Sequence, residues 1–259
     1  MTRHLMASTV LMLAVATAAG AEVKTRVVDY KQGDTELQGM IAWDDAVKGT
    51  RPGVLVVHEW WGHNEHARNA ARKLAAAGYV AFALDMYGKG KVATHPDDAM
   101  KFMTEATKDP AVIVARFEAA LAQLKQDPHV DGTRIGAIGY CFGGGVVLNM
   151  ARNGAPLKAV ATFHGSLAPV FPAKKGAVTA KLLVQTGGAD EMVPPTQVDA
   201  FKKEMADAGA DLQVIVYPGA KHSFTNPDAD KAGMPQLAYN ADADAKSWAE
   251  MISFFKKSL

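Results

Sequence analysis

The chain has 259 residues, about half of them apolar and about a fifth charged, the balance of an ordinary globular protein. Its formal net charge is +1, which gives no electrostatic case for nucleic acid or an acidic membrane surface as partner. No internal repeat, run of like charge or low-complexity segment stands out.

In chain order, residues 1–21 come first. Arg3 and His4 precede an apolar stretch from Leu5 to Ala16, and small residues follow, ending in Ala19-Gly20-Ala21. That is the layout of a secretory signal peptide, with cleavage expected after Ala21. The apolar run is short for a membrane anchor, and no other segment is long and apolar enough to span. The expectation is an exported protein, periplasmic or secreted, whose residues 22–259 form one domain without stable membrane insertion.

Next, "VKTRVVDY" and "TELQGMIAW" read as two strands joined by a turn at Gly33-Asp34. "PGVLVVHEW" is a continuous apolar strand. "NEHARNAARKLAAAG" is an alanine-rich amphipathic helix stopped by Gly78. "YVAFALDMYG" is another strand, and residues 96–126 hold two helical stretches divided near Asp109-Pro110. "RIGAIGY" reads as strand and "FGGGVVLNMAR" as helix. "KAVATFHG", "KLLVQTGG" and "LQVIVYPG" are strands, with the helix "TQVDAFKKEMADAG" before the last. "DADAKSWAEMISFFKK" closes the chain as a helix. Apolar strands alternating with helices predict an α/β fold, a mostly parallel sheet covered by helices on both faces. Chemistry in such sheets gathers at the C-terminal ends of strands.

One such end carries the only cysteine. In an oxidising compartment a lone thiol is buried and inert, an intermolecular link, or reactive. Gly139-Tyr140-Cys141-Phe142-Gly143 fits G-x-C-x-G, the cysteine form of the nucleophile elbow. There a strand turns abruptly into a helix, small flanking residues let backbone approach, and the helix N-terminus favours thiolate. A cysteine nucleophile needs a base, and the base needs an orienting acid. The expected chain order is nucleophile, acid, histidine. Asp190 in "TGGADEMVPP" and His222 in "PGAKHSF" lie past later strands in that order. Asp190 as a cap of the helix starting near Thr196 is the plainer alternative. His129 and His95 fit less well, and His164 falls between nucleophile and acid, so it reads as structural or pocket-lining.

"VVHEWWGHNEH" invites a metal reading through His58, His63 and His66, but the H-E-x-x-H spacing is absent and no further ligand set is apparent. The segment reads better as a loop beside the nucleophile. Its Trp60 N–H and the N–H of Phe142 would form an oxyanion hole. Trp60 and Trp61 would shape an apolar pocket mouth. No metal or cofactor is expected.

Together "VHEWWG", "ALDMYGKG", "GYCFGGG" and "GGADEMVP…PGAKHSF" resemble the dienelactone hydrolase family of α/β-hydrolases, over roughly residues 25–257. The resemblance implies the α/β-hydrolase fold, a Cys141–His222–Asp190 triad and a small-molecule ester or lactone substrate cleaved through an acyl-thioester. It also implies that Glu59 helps turn a resting thiol into thiolate. A surface salt bridge is the plainer reading of Glu59. Family members acting on dienelactone clamp its carboxylate with arginines. Here the first region offers Lys89 or Lys91, and Asn226 stands where the second arginine is expected, which is no equivalent clamp. Tyr87 and Phe224, beside these motifs, are further candidate substrate contacts. A thioesterase or general carboxylesterase on the same scaffold is the nearest rival. A non-catalytic small-molecule-binding protein retaining the fold is the rival of another class. Nothing sets the oligomeric state, and a monomer is the expectation.

Overall fold

The computed structural model describes residues 22–259, so the leader expected over residues 1–21 lies outside the described residues. Strands β1 (Val23–Gln32) and β2 (Thr35–Asp44) pair antiparallel in full register from Val23 opposite Asp44 to Gln32 opposite Thr35. They continue into β4 (Val80–Leu84) and then β3 (Arg51–Val57), β5 (Val130–Tyr140), β6 (Ala159–Phe163), β7 (Lys181–Gly187) and β8 (Leu212–Tyr217). From β4 to β8 all neighbours run parallel. The sheet has eight strands in the order β1-β2-β4-β3-β5-β6-β7-β8.

Two helical layers cover it, and the pleat decides which residue meets which. Along β3, Val54 and Val56 point to one face and Leu55 and Val57 to the other, all fully buried, as a period of two requires. Helices α1 (Glu65–Ala76) and α6 (Ala241–Ser258) cover the first face. There Ala67, Ala70, Ala71 and Leu74 of α1, with Met251 and Phe255 of α6, pack on Val54, Val56, Ala81 and Ile138. The alanine face of α1 lets that helix lie close to the sheet. Helices α2 (Pro96–Thr107), α3 (Pro110–Gln126), α4 (Phe142–Arg152) and α5 (Pro195–Ala208) supply the second face. Ile113, Phe117, Val146, Phe201 and Met205 share that core with Leu55, Val57 and Phe82. Each large side chain buried this way contributes on the order of 1.5–3 kcal/mol.

The break near Asp109-Pro110 is a capped restart. Pro110 opens α3, and the Ala111 N–H donates to Asp109 Oδ1 at 2.9 Å, an arrangement typically stabilising by about 1 kcal/mol. Asn240 does the same for α6, accepting from the Ala243 N–H at 3.0 Å.

Candidate active site

Beside β3 the strand order reverses direction, with β4 on one side and β5 on the other. Such a switch point opens a crevice at the C-terminal strand ends. Five adjacent strands deliver the candidate groups to that edge. Glu59 follows β3, Cys141 follows β5, His164 follows β6, Asp190 follows β7 and His222 follows β8.

Cys141 occupies the single residue between β5 and α4, with φ 50° and ψ −116°. An L-residue in the positive-φ region is strained, and such strain persists only where the surroundings enforce it. Here the glycines do so. A Cβ on Gly139 would lie 2.1 Å from the Gly143 carbonyl oxygen, and one on Gly143 would lie 2.4 Å from that of Val57. The helix can therefore start directly against the neighbouring strand, leaving the half-buried thiol at its positive end. We expect Gly143→Ala to cost about 1–3 kcal/mol by overpacking, seen as a lower melting temperature. A variant melting like wild type would show that the close approach is not needed.

His222 lies in the turn after β8 and is buried. Its Nδ1–H donates to Asp190 Oδ2 at 2.8 Å. Asp190 is in turn fixed through Oδ1, which accepts from the N–H groups of Met192 (2.9 Å) and Val193 (3.1 Å). It thus orders the turn before α5, while its second oxygen holds the histidine. The other ring nitrogen of His222, Nε2, is buried without a conventional hydrogen-bond partner. Burial favours the neutral ring, but beside Cys141 as thiolate the sulphur's charge, the Asp190 hydrogen bond and a hydrogen bond with Cys141 oppose it and push the imidazole pKa up to about 10. Among the described residues, neither the Trp60 nor the Phe142 N–H donates to another backbone group.

Glu59 is buried and turned toward residues 223–226. Ser223 Oγ donates to Oε1 at 2.8 Å, and Asn226 Nδ2 donates to Oε2 at 2.6 Å. The same turn holds His164, whose Nε2 lies 2.8 Å from Thr225 Oγ1 and whose ring meets that of His222 edge-on at 5.1 Å. Burial, with the like charges of His222 and His66, holds the His164 imidazole well below its usual range. It is a neutral shelf for His222. Backbone at Ser223 has φ 57°, so "HSFTN" turns sharply enough to send alternate side chains to different parts of the site.

Residues 37–259 match the dienelactone hydrolase family. The chain belongs to this family. Protein usf of Aquifex pyrophilus is 30% identical over 239 residues, which covers 90% of this chain and 99% of that one. A crystal structure described as a dienelactone hydrolase-like promiscuous phosphotriesterase from metagenomic libraries is 40% identical. Its TM-score is 0.88, covering 92% of this chain and 99% of that chain. The dienelactone hydrolase of Anabaena variabilis, 20% identical with a TM-score of 0.64 over 89% of this chain and 98% of its own, shares the fold.

Within this dienelactone hydrolase family member, the remaining candidates separate. Tyr87 is buried, its ring 5.5 Å from that of Phe142 and 4.8 Å from that of His58. Its hydroxyl has no partner, and burial, then the Cys141 charge, raise the phenol far above its usual range. Trp60 and Trp61 meet edge-on at 4.9 Å, with Trp61 the more open of the two. Four expected substrate contacts have other partners. Lys89 pairs with Asp29 at 2.8 Å and Lys91 with Glu105 at 3.1 Å, each with an exposed carboxylate. Phe224 is fully buried, packed edge-on against His164 at 5.2 Å, and is core. Asn226 is committed to Glu59 rather than to the crevice. The His58 and His66 rings turn to different partners, the Met86 N–H and the Thr225 carbonyl. Sequence reasoning missed Ser223 and Asn226 as the residues that hold Glu59. The sharp "HSFTN" turn was the available signal.

Proposed function

We propose that this hydrolase cleaves carboxylic esters or lactones by covalent catalysis at Cys141. The observation that carries the reading is the strained elbow cysteine beside a histidine whose other nitrogen is bonded to a buried carboxylate. Cys141 Sγ, as thiolate, attacks the carbonyl carbon. Trp60 and Phe142 N–H groups receive the oxyanion. The tetrahedral intermediate expels the alkoxide, which takes a proton from His222, and leaves an acyl-thioester. Water, giving a proton to His222, then attacks the acyl carbon and frees the acid and Cys141. Asp190 keeps the ring oriented with its proton on Nδ1. Glu59, held by Ser223 and Asn226, takes the thiol proton when substrate enters and reorders the site; brought beside the thiol a carboxylate is a base, yet its charge opposes a standing thiolate.

The substrate is an uncharged ester or lactone. A groove of about 290 Å³ runs along α4 from Phe142, lined by Met103, Ile113, Val146, Pro169 and Val170. The Asn149 amide beside it is spent on the Gly145 carbonyl and on the Val170 and Phe171 N–H groups. No cation lines the groove. Uncharged aryl esters are expected to leave an acyl adduct on Cys141 in rapid-quench mass spectrometry. A carboxylated lactone should show kcat/KM lower by roughly 10- to 100-fold, the value of a missing charged hydrogen bond. No adduct on Cys141 during turnover would sink the covalent reading, and preference for the carboxylated lactone would sink the uncharged one. Because its relative carries the name of a promiscuous phosphotriesterase, an aryl phosphotriester belongs in the panel. The leader supports export; a mature protein beginning at Met1 would overturn that.

A further inference from the structure

Beyond Ser223 and Asn226, one more polar atom faces Glu59. His66 Nδ1 lies 3.8 Å from Glu59 Oε2, is buried, and has no hydrogen-bond partner among the described residues. The other ring nitrogen, Nε2, lies 3.2 Å from the Thr225 carbonyl oxygen. A carbonyl only accepts, so in neutral His66 the ring proton sits on Nε2. Nδ1 then points a bare lone pair at a carboxylate. Two buried acceptors facing each other are costly unless a proton comes between them. A movement of roughly 0.8 Å would bring the pair into hydrogen-bond range.

The far side of His66 suits a cation. The ring lines a cavity of about 530 Å³, with Asp244 of α6 and Asp228 of the segment between β8 and α6 on its wall. Tyr140 contributes a neutral ring edge-on at 4.7 Å. Arg72 and Lys73 of α1 also line this cavity, but Arg72 is paired with Glu65, and Lys73 lies over the Trp248 ring at 4.0 Å. Burial raises the Asp244 carboxyl, while Lys73 and His66 act to lower it.

We propose that His66 is where the thiol proton comes to rest. The Cys141 S–H bond breaks as an O–H bond forms on Glu59. That O–H then breaks as an N–H bond forms at His66 Nδ1. Cys141 keeps the electron pair, Glu59 returns to carboxylate, and His66 becomes imidazolium, held by the Thr225 carbonyl and facing Asp244. No co-reactant is needed, and the proton returns by the same path when the thiolate is released. His66 is thus a positioning residue acting through Glu59, and the proposal rests on Glu59 as the base for the thiol.

The test is His66→Ala with external bases, since the cavity it opens onto admits a five-membered ring. Turnover should fall about 10- to 100-fold, within the range of proton-transfer assistance, with KM changed less than about twofold. Imidazole should restore much of kcat; pyrazole, the same shape but a far weaker base, should not. In Glu59→Gln, adding His66→Ala should cost nothing further, and imidazole should rescue nothing. Unchanged kcat in His66→Ala, or equal rescue by both rings, overturns the proposal. Wild-type turnover by Glu59→Gln alone overturns the reading of Glu59 and this proposal with it, whereas a slow Glu59→Gln beside a fast His66→Ala overturns His66 alone. Circular dichroism checks folding, and His66→Gln replaces His66→Ala should the latter not fold.

Discussion

Cys141→Ala is expected to lower kcat/KM for an aryl ester by about 10⁴- to 10⁶-fold, the loss seen when the nucleophile of a concerted triad is removed. The fold should survive, because Cys141 is half-buried and alanine keeps its Cβ. Alanine keeps the strain, however, since φ of 50° disfavours any L side chain. Cys141→Gly removes it at the expense of a looser unfolded chain. Strain of this kind is of order 1–3 kcal/mol, so Cys141→Gly should melt above Cys141→Ala while both are inactive. Kinetics and melting on the two variants test separate statements. Residual turnover above about one per cent in both would move the chemistry off Cys141. Equal melting would mean that the elbow stores no strain.

That strain was readable in the sequence because its causes are local. Gly139 and Gly143 flank Cys141 within five residues, and the apolar strands before and after them set the sheet. The order Cys141, Asp190, His222 was readable too, since each follows a strand in a parallel sheet and must arrive at the same edge. What could not be read were contacts made across the fold. Asn226 and Glu59 are far apart in the chain, and only the turn at Ser223 brings the amide to the carboxylate. Asparagine in place of an expected arginine therefore read as a substrate-contact change, when its first effect is on what holds Glu59. Lys89 and Lys91 looked free because Asp29 and Glu105 lie on other elements. His164 read as structural or pocket-lining because it falls between nucleophile and acid in the chain; burial among aromatic rings makes it neutral support.

Asp190→Asn is expected to lower kcat by about 10³- to 10⁴-fold while leaving the fold in place, with a stability loss that is largest below about pH 6.5. The amide oxygen can still accept from the Met192 and Val193 N–H groups, so the turn before α5 keeps its order. The amide nitrogen would then face His222 Nδ1, where two donors cannot share one contact. The ring must place its proton on Nε2 or turn away, and in either case it cannot take a proton there. The pH dependence separates this from a folding defect. In wild type the folded His222 pKa stands at about 10, above its ordinary value of 6.5. The folded state therefore binds more protons between those values, and that contribution is fully present below 6.5 and lost as pH rises through about 10. Asp190→Asn removes part of the cause. The stability advantage of wild type should accordingly shrink across that window, measured by denaturant unfolding at several pH values. An advantage that is constant with pH would mean that Asp190 serves the turn alone.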